Sequence, residues 1–221
     1  MKQNNLETTE EYDFDIIEIT KAGWQWIDGV KAQFVIGIFI YIAIALITQS
    51  ILGFIVSIIT TESSNVLNQQ IIAILSYPVL MPLIAGLMMM ALQHTRGESI
   101  NFKSMFNYYH LTTKLALAGI LIYIMTIFGF LLLILPGIYL SVAYVFAVIL
   151  IVDKDMEVWE AMEHSRKAVG KRWFKVGGLM SLLGLIMFLG VLALGIGIIW
   201  AVPLMFVTLY GLLYPLMFDE A

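Results

Sequence analysis

Residues 115–152 read LALAGILIYIMTIFGFLLLILPGIYLSVAYVFAVILIV, an apolar run without Asp, Glu, Lys or Arg. A hydrocarbon core about 30 Å thick is crossed by about 20 helical residues. The run is too long for one crossing and long enough for two. Leu135-Pro136-Gly137 marks the division. Proline has no N–H and is tolerated in the first turn of a helix, and glycine permits the turn before it. The reading is a tight helical hairpin that turns at Pro136 and Gly137, with spans at 115–135 and 137–152.

Working outward, the same test finds four more apolar runs: 32–59, 71–92, 174–199 and 203–218. Apart from Lys175 at the very start of the fifth, none carries an ionisable Asp, Glu, Lys or Arg. Gln49, Ser50 and Gly53 are where the long first run is expected to bend, and Gly195, Gly197 and Pro203 divide the fifth from the sixth. Composition agrees. The 221 residues are 61% hydrophobic and 13% charged, against about 45–50% and about 25% in a soluble domain. The fold class expected is all-α: a polytopic bundle of six transmembrane helices, arranged as three hairpins with amphipathic helices on the cytoplasmic surface.

The charges set the orientation. The 12 Lys and Arg residues fall before the first span (Lys2, Lys21, Lys31), between the second and third (Arg96, Lys103, Lys114) and between the fourth and fifth (Lys154, Arg166, Lys167, Lys171, Arg172, Lys175). The other connections have none. Short basic loops stay in the cytoplasm, so both termini are expected there. Residues 1–19 are acidic and lack the basic start and short apolar run of a secretory signal. They read as a disordered cytoplasmic tail, followed by one membrane domain at 20–218 and a cytoplasmic end at 219–221. There is no basic stripe of the kind nucleic acid needs. The chain has no cysteine, which excludes disulfides, thiolate catalysis and cysteine-ligated metals.

A threefold pattern runs through the spans. Residues 37–42, GIFIYI, echo 119–124, GILIYI, and a looser copy begins at Gly177. Aromatics precede each odd span. Each even span has proline near its outer start: Pro78 with Pro82, Pro136, and Pro203.

The polar stretch 155–175 reads as an amphipathic helix. Val158, Met162, Val169 and Trp173 share a face. Trp159 and Trp173 suit an interfacial belt, and Arg166, Lys167, Lys171, Arg172 and Lys175 cluster behind them. Juxtamembrane cations are each worth about 1 kcal/mol toward anionic lipid. These seven residues form the candidate lipid or partner contact; anchoring and orientation are the plainer role. Phe102 to Tyr109 is read either as a shorter membrane-surface helix or as an ordinary loop.

Chemistry is scarce. His94, His110 and His164 all lie at span borders. Glu160 and His164 could meet on one face, but a catalytic zinc takes three protein ligands. Polar groups at depth are limited to Gln49, Ser50, Ser57, Ser141, Ser181 and Thr208, with no histidine in a span to serve as a base. Gly177, Ser181 and Gly184 form a ridge suited to helix packing, within the chain or in a homo-oligomer. No catalytic residue, metal or cofactor is expected.

Leu135-Pro136-Gly137-Ile138, a further span, Asp153-Lys154-Asp155 and then Trp159-Glu160-Ala161-Met162-Glu163-His164-Ser165 resemble the central region of YciC-like bacterial inner-membrane proteins. The stretch is also similar to the membrane domain joined to some glycerophosphodiester phosphodiesterases. The resemblance covers 135–175 and implies a multi-span protein of the bacterial cytoplasmic membrane, without catalytic residues. The expected function is non-enzymatic: organising membrane lipids, anionic ones included, or partner proteins through the cytoplasmic helices. The alternative is a transporter or channel for a small or lipid-like solute. A third reading, an intramembrane enzyme, lacks a nucleophile with a base.

Overall fold

The computed structural model describes residues 12–59, 66–192 and 195–219. Those residues are almost wholly helical, with no strand among them. Six helices are long and apolar enough to cross a membrane: Lys31–Ile59, Val66–Thr95, Phe102–Leu132, Ile134–Asp153, Trp173–Leu192 and Ile198–Phe218. The chain is a multi-pass integral membrane protein. In finer detail the helices are α1 (Ile16–Trp26), α2 (Lys31–Ile59), α3 (Val66–Thr95), α4 (Thr112–Leu132), α5 (Ile134–Ala143), α6 (Ala147–Asp153), α7 (Val158–Lys171), α8 (Trp173–Leu192), α9 (Ile198–Phe206) and α10 (Tyr214–Phe218). A 3₁₀ segment, Phe102–Leu111, leads into α4, and a π-helical segment, Val207–Leu213, joins α9 to α10.

Sequence-adjacent spans pack in pairs: α2 on α3, α4 on α5, α8 on α9. Contacts of α3 with α4, α5 with α8 and α2 with α9 join the pairs into a ring. α6 and the π segment lie against α3. α1 packs on α8, α9 and the π segment, and α7 on α4, α5 and α6.

Several expected boundaries move. The third and fourth spans do not turn at Pro136 and Gly137. α4 stops at Leu132, Leu133 alone is extended (φ −162°, ψ 152°), and α5 starts at Ile134. Pro136 then lies in the first turn of α5, where its missing N–H costs nothing. Gly137 serves packing. A Cβ on Gly129 would sit 2.9 Å from the Gly137 Cα, so only two glycines allow α4 and α5 to meet this closely beside the corner. Pro78, Pro82 and Pro203 are inside α3 and α9, not at helix starts. The fifth span ends at Leu192, well short of 199, and the positive φ of Gly195 (+78°) shapes the turn toward α9.

The N-terminal segment also differs from expectation. Residues 1–11 lie outside the described residues, but 12–19 are ordered. Asp15 caps α1 by accepting hydrogen bonds from the Ile17 and Glu18 N–H groups, at 2.8 and 2.9 Å. Ile19, Gly23 and Ile27, four apart, are buried against the bundle. Phe102–Leu111 is neither a detached surface helix nor a loop. It is a 3₁₀ lead-in to the third span, whose Asn101 side chain accepts from the Lys103 N–H at 2.9 Å. Gly86 of α3 lets it dock: a Cβ there would lie 2.4 Å from the Met105 backbone.

Candidate functional site

The described cations gather at one end of the bundle, called here the charged end. α3 stops there in a Schellman turn. The Glu98 N–H bonds to the Gln93 carbonyl (2.9 Å) and the Gly97 N–H to the His94 carbonyl (3.0 Å), with Gly97 at φ +81°. Arg96 follows at once. Its guanidinium grips Asp153 in a fork, Nη1 to Oδ1 at 2.7 Å and Nη2 to Oδ2 at 3.2 Å, and reaches Asp219 at 2.9 Å. Lys154 Nζ bonds to the other Asp219 oxygen at 2.8 Å, and the Tyr214 hydroxyl donates to Asp153 at 2.8 Å. The side chain of Asp153 is 8% exposed. Two cations and two carboxylates thus clasp the ends of the second, fourth and sixth spans. Burial alone would raise the Asp219 carboxyl. Hydrogen bonds from Lys154 and Arg96 outweigh it, and the group lies below its ordinary value.

The clasp was not among the residues singled out from sequence. Its signal was present in Arg96, Asp153 and Asp219, each the first charge after an even-numbered span.

Beside the clasp, the fourth span breaks at Tyr144-Val145-Phe146, between α5 and α6. A break frees backbone groups that apolar surroundings cannot satisfy. Ser165, fully buried on α7, repairs it. Its hydroxyl donates to the Ala143 carbonyl (2.7 Å) and accepts from the Phe146 N–H (3.2 Å). This explains why α7 is drawn into the bundle along Val158, Ala161, Met162, Ser165, Ala168 and Val169. The π segment of the last span is treated alike: the Thr95 hydroxyl donates to the Gly211 carbonyl at 2.8 Å. The two irregular regions face each other through Phe146, whose ring lies 6.1 Å from both Tyr210 and Tyr214. Thr208, noted earlier as a polar group at depth, is fully buried against Gly23 of α1, and its hydroxyl has no partner.

The candidate contact residues do not form one free basic face. Trp159 is 61% exposed and points away from the core. Trp173 does not float at a surface: its Nε1 donates to the Tyr139 carbonyl at 3.2 Å and the rings stack. Arg166 is bound to Glu163 through two hydrogen bonds of 2.8 and 2.7 Å, and Lys167 approaches the same carboxylate at 3.4 Å. The Arg166 hydrogen bond, with the nearby charges, lowers Glu163 from 4.5 to about 2. Arg172 donates to the Tyr12 carbonyl (3.4 Å), and Lys175 to the Asp13 carboxylate and the Phe14 carbonyl (3.1 Å). The hydrogen bond from Lys175 holds the Asp13 carboxyl below its ordinary value. Lys171 is exposed at the end of α7. Gly170 to Lys175 line a shallow open cleft of about 400 Å³.

The segments at the opposite ends of the spans, 54–59, 66–67, 131–135 and 185–192, contain no Asp, Glu, Lys or Arg. Large apolar side chains stand exposed at the tips of all three helix pairs: Phe54 and Ile59 with Val66 and Leu67, Leu131 to Leu135, and Leu185 to Leu192 with few exceptions. The fully buried residues concentrate instead in 83–92, 142–151, 176–183 and 201–214. Among the described residues no group of three His, Asp or Glu side chains could hold a metal ion. No protein-family model, no curated protein and no solved structure matches this chain.

Proposed function

We propose that this chain is a non-enzymatic protein of a bacterial cytoplasmic membrane, with its charged end in the cytoplasm, that organises lipid around and between its three helix pairs. One observation carries the reading. The apolar tips are exposed: Ile59, Leu131 and Leu135 are each 76–77% accessible. In a bilayer, acyl chains must cover that surface, because water cannot do so cheaply. The core that could have closed the tips lies at the other end.

The segregation of Lys and Arg to alternate connections supports the orientation. The stretch 135–175 supports membership of the YciC-like group, on its own residues. Transport would use the broken fourth span and the π segment as a polar path. Their freed backbone groups are instead taken up by Ser165 and Thr95, among aromatic side chains, which favours the organiser.

The test is extraction in a membrane-excising polymer, exchange into detergent, and mass spectrometry of retained phospholipid alongside thermal melting. Phospholipid is expected to persist through the exchange, and its removal to lower the melting temperature. Complete loss of phospholipid with an unchanged melting temperature would overturn the reading.

A further inference from the structure

The cleft lined by Gly170 to Lys175 lies where α7 hands over to α8. Trp173 and Phe174 are the first residues of the fifth membrane-crossing helix. Whichever way the chain is inserted, this cleft lies at the membrane boundary, where lipid headgroups are. Phe174 is 86% exposed, and the exposed Leu185, Phe188 and Leu189 continue the apolar surface along the same helix. A headgroup in the cleft would have its acyl chains beside α8.

The cleft is cationic. Lys171, Arg172 and Lys175 line it. One described carboxylate reaches them: Asp13, bonded to Lys175 and 3.8 Å from the Arg172 guanidinium. Asp15 is already used in capping α1. Lys171 makes no ion pair among the described residues. The Tyr12–Phe14 segment meets two of the lining side chains, Arg172 and Lys175, and is held there by hydrogen bonds and by the burial of Phe14. The Tyr12 hydroxyl donates to the Ala168 carbonyl at 3.0 Å, Phe14 is buried, and the Asp13 side chain remains 56% exposed. A carboxylate so placed offers one negative charge and oxygen acceptors to N–H donors, as a phosphodiester would.

We infer that this cleft is a headgroup site for an anionic glycerophospholipid, and that the Tyr12–Phe14 segment is its built-in competitor, with the Asp13 carboxylate standing where the lipid phosphate would bind. The inference rests on the reading that lipid is the partner of this protein. It adds a location, a charge class and a means of regulation: whatever lifts the N-terminal segment opens the site.

The experiment uses the full chain in detergent micelles, titrated with dioctanoyl phosphatidylglycerol and followed by native mass spectrometry. Dioctanoyl phosphatidylcholine and inorganic phosphate are the comparison arms. Asp13→Asn should tighten phosphatidylglycerol binding about tenfold, the factor for one charge-assisted hydrogen bond no longer competing. Lys171→Gln, at an exposed position without an ion pair among the described residues, should weaken it about fivefold. Phosphatidylcholine binding should not change in either variant. Unchanged phosphatidylglycerol affinity in a folded Asp13→Asn protein overturns the competition. Unchanged affinity in Lys171→Gln overturns the site, even if Asp13→Asn does not fold. Displacement of the lipid by equimolar inorganic phosphate would show a general anion site instead. Phospholipid retention at the helix tips is measured without these variants, so the wider reading and this one can fail separately.

Discussion

The two ends of this bundle solve the same problem in opposite ways. At the charged end, helices are interrupted, side chains of both signs interlock, and the core is closed by protein atoms. At the tips, helices are regular and apolar side chains face outward. Irregular backbone is costly in an apolar setting unless each freed group finds a partner. Irregularity therefore occurs where other helices can supply hydroxyls, as Ser165 and Thr95 do. The tips need no such help, because intact α-helices satisfy themselves and lipid tails are as apolar as leucine.

The comparison can be broken by substitution. Gly86→Val should have the largest effect. Its Cβ would lie 2.4 Å from the Met105 backbone, which cannot swing aside as a side chain would. A loss of about 3 kcal/mol or more is expected, read as a large drop in thermal midpoint by circular dichroism in detergent. An unchanged midpoint would mean that the 3₁₀ lead-in is not held against α3. Ser165→Ala comes next. It leaves the Ala143 carbonyl and the Phe146 N–H without their partner. The cost should be about 2–3 kcal/mol, with faster amide exchange localised to 143–147.

A smaller effect should follow pH. The Glu163 carboxyl is lowered from 4.5 to about 2 by Arg166 and Lys167. A group depressed on folding adds stability above its unfolded value, and loses it as pH falls through the folded one. The contribution should be full above about pH 5 and fade toward pH 2. The pair is about one-third exposed and screened by solvent, so the amplitude should be small. Glu163→Gln should flatten that part of the curve of melting temperature against pH. The least effect is expected at a tip. Leu135→Ala should shift stability by less than about 0.5 kcal/mol, because the leucine exchanges lipid contact rather than core contact. A loss of core size, about 2–5 kcal/mol, would show that the tips close on one another.

Much of the architecture was legible in the sequence because length and charge-free apolarity are local properties. Six spans, their order and the clustering of cations follow from reading along the chain. Span ends were less legible. Pro136 draws attention as a turn, yet a first-turn proline is compatible with the helix starting before it, and the corner falls at Leu133. Gly137 looked like a turn residue, and its use is contact with Gly129, which only the fold reveals. Among the candidate contact residues, the spacing of α7 located the amphipathic face. It could not show that Glu163 and Asp13 already engage four of the five cations, since Asp13 comes from a segment more than 150 residues away. Ser165 was visible only as the last residue of the stretch that carries the family resemblance; its purpose depends on a break in another helix.

The clasp of Arg96, Asp153, Lys154 and Asp219 has a consequence for biosynthesis. The chain emerges from the ribosome in order, so Arg96, Asp153 and Lys154 are made before Asp219. Until the sixth span has followed, the two cations share a single carboxylate, and the unfinished clasp carries one net positive charge. Such charge resists translocation and fixes the sidedness of a nascent helix. Arrival of Asp219 cancels it and ties the last span to the second and fourth. The same residues thus act first as a sidedness signal and then as a latch that only a fully inserted chain can close.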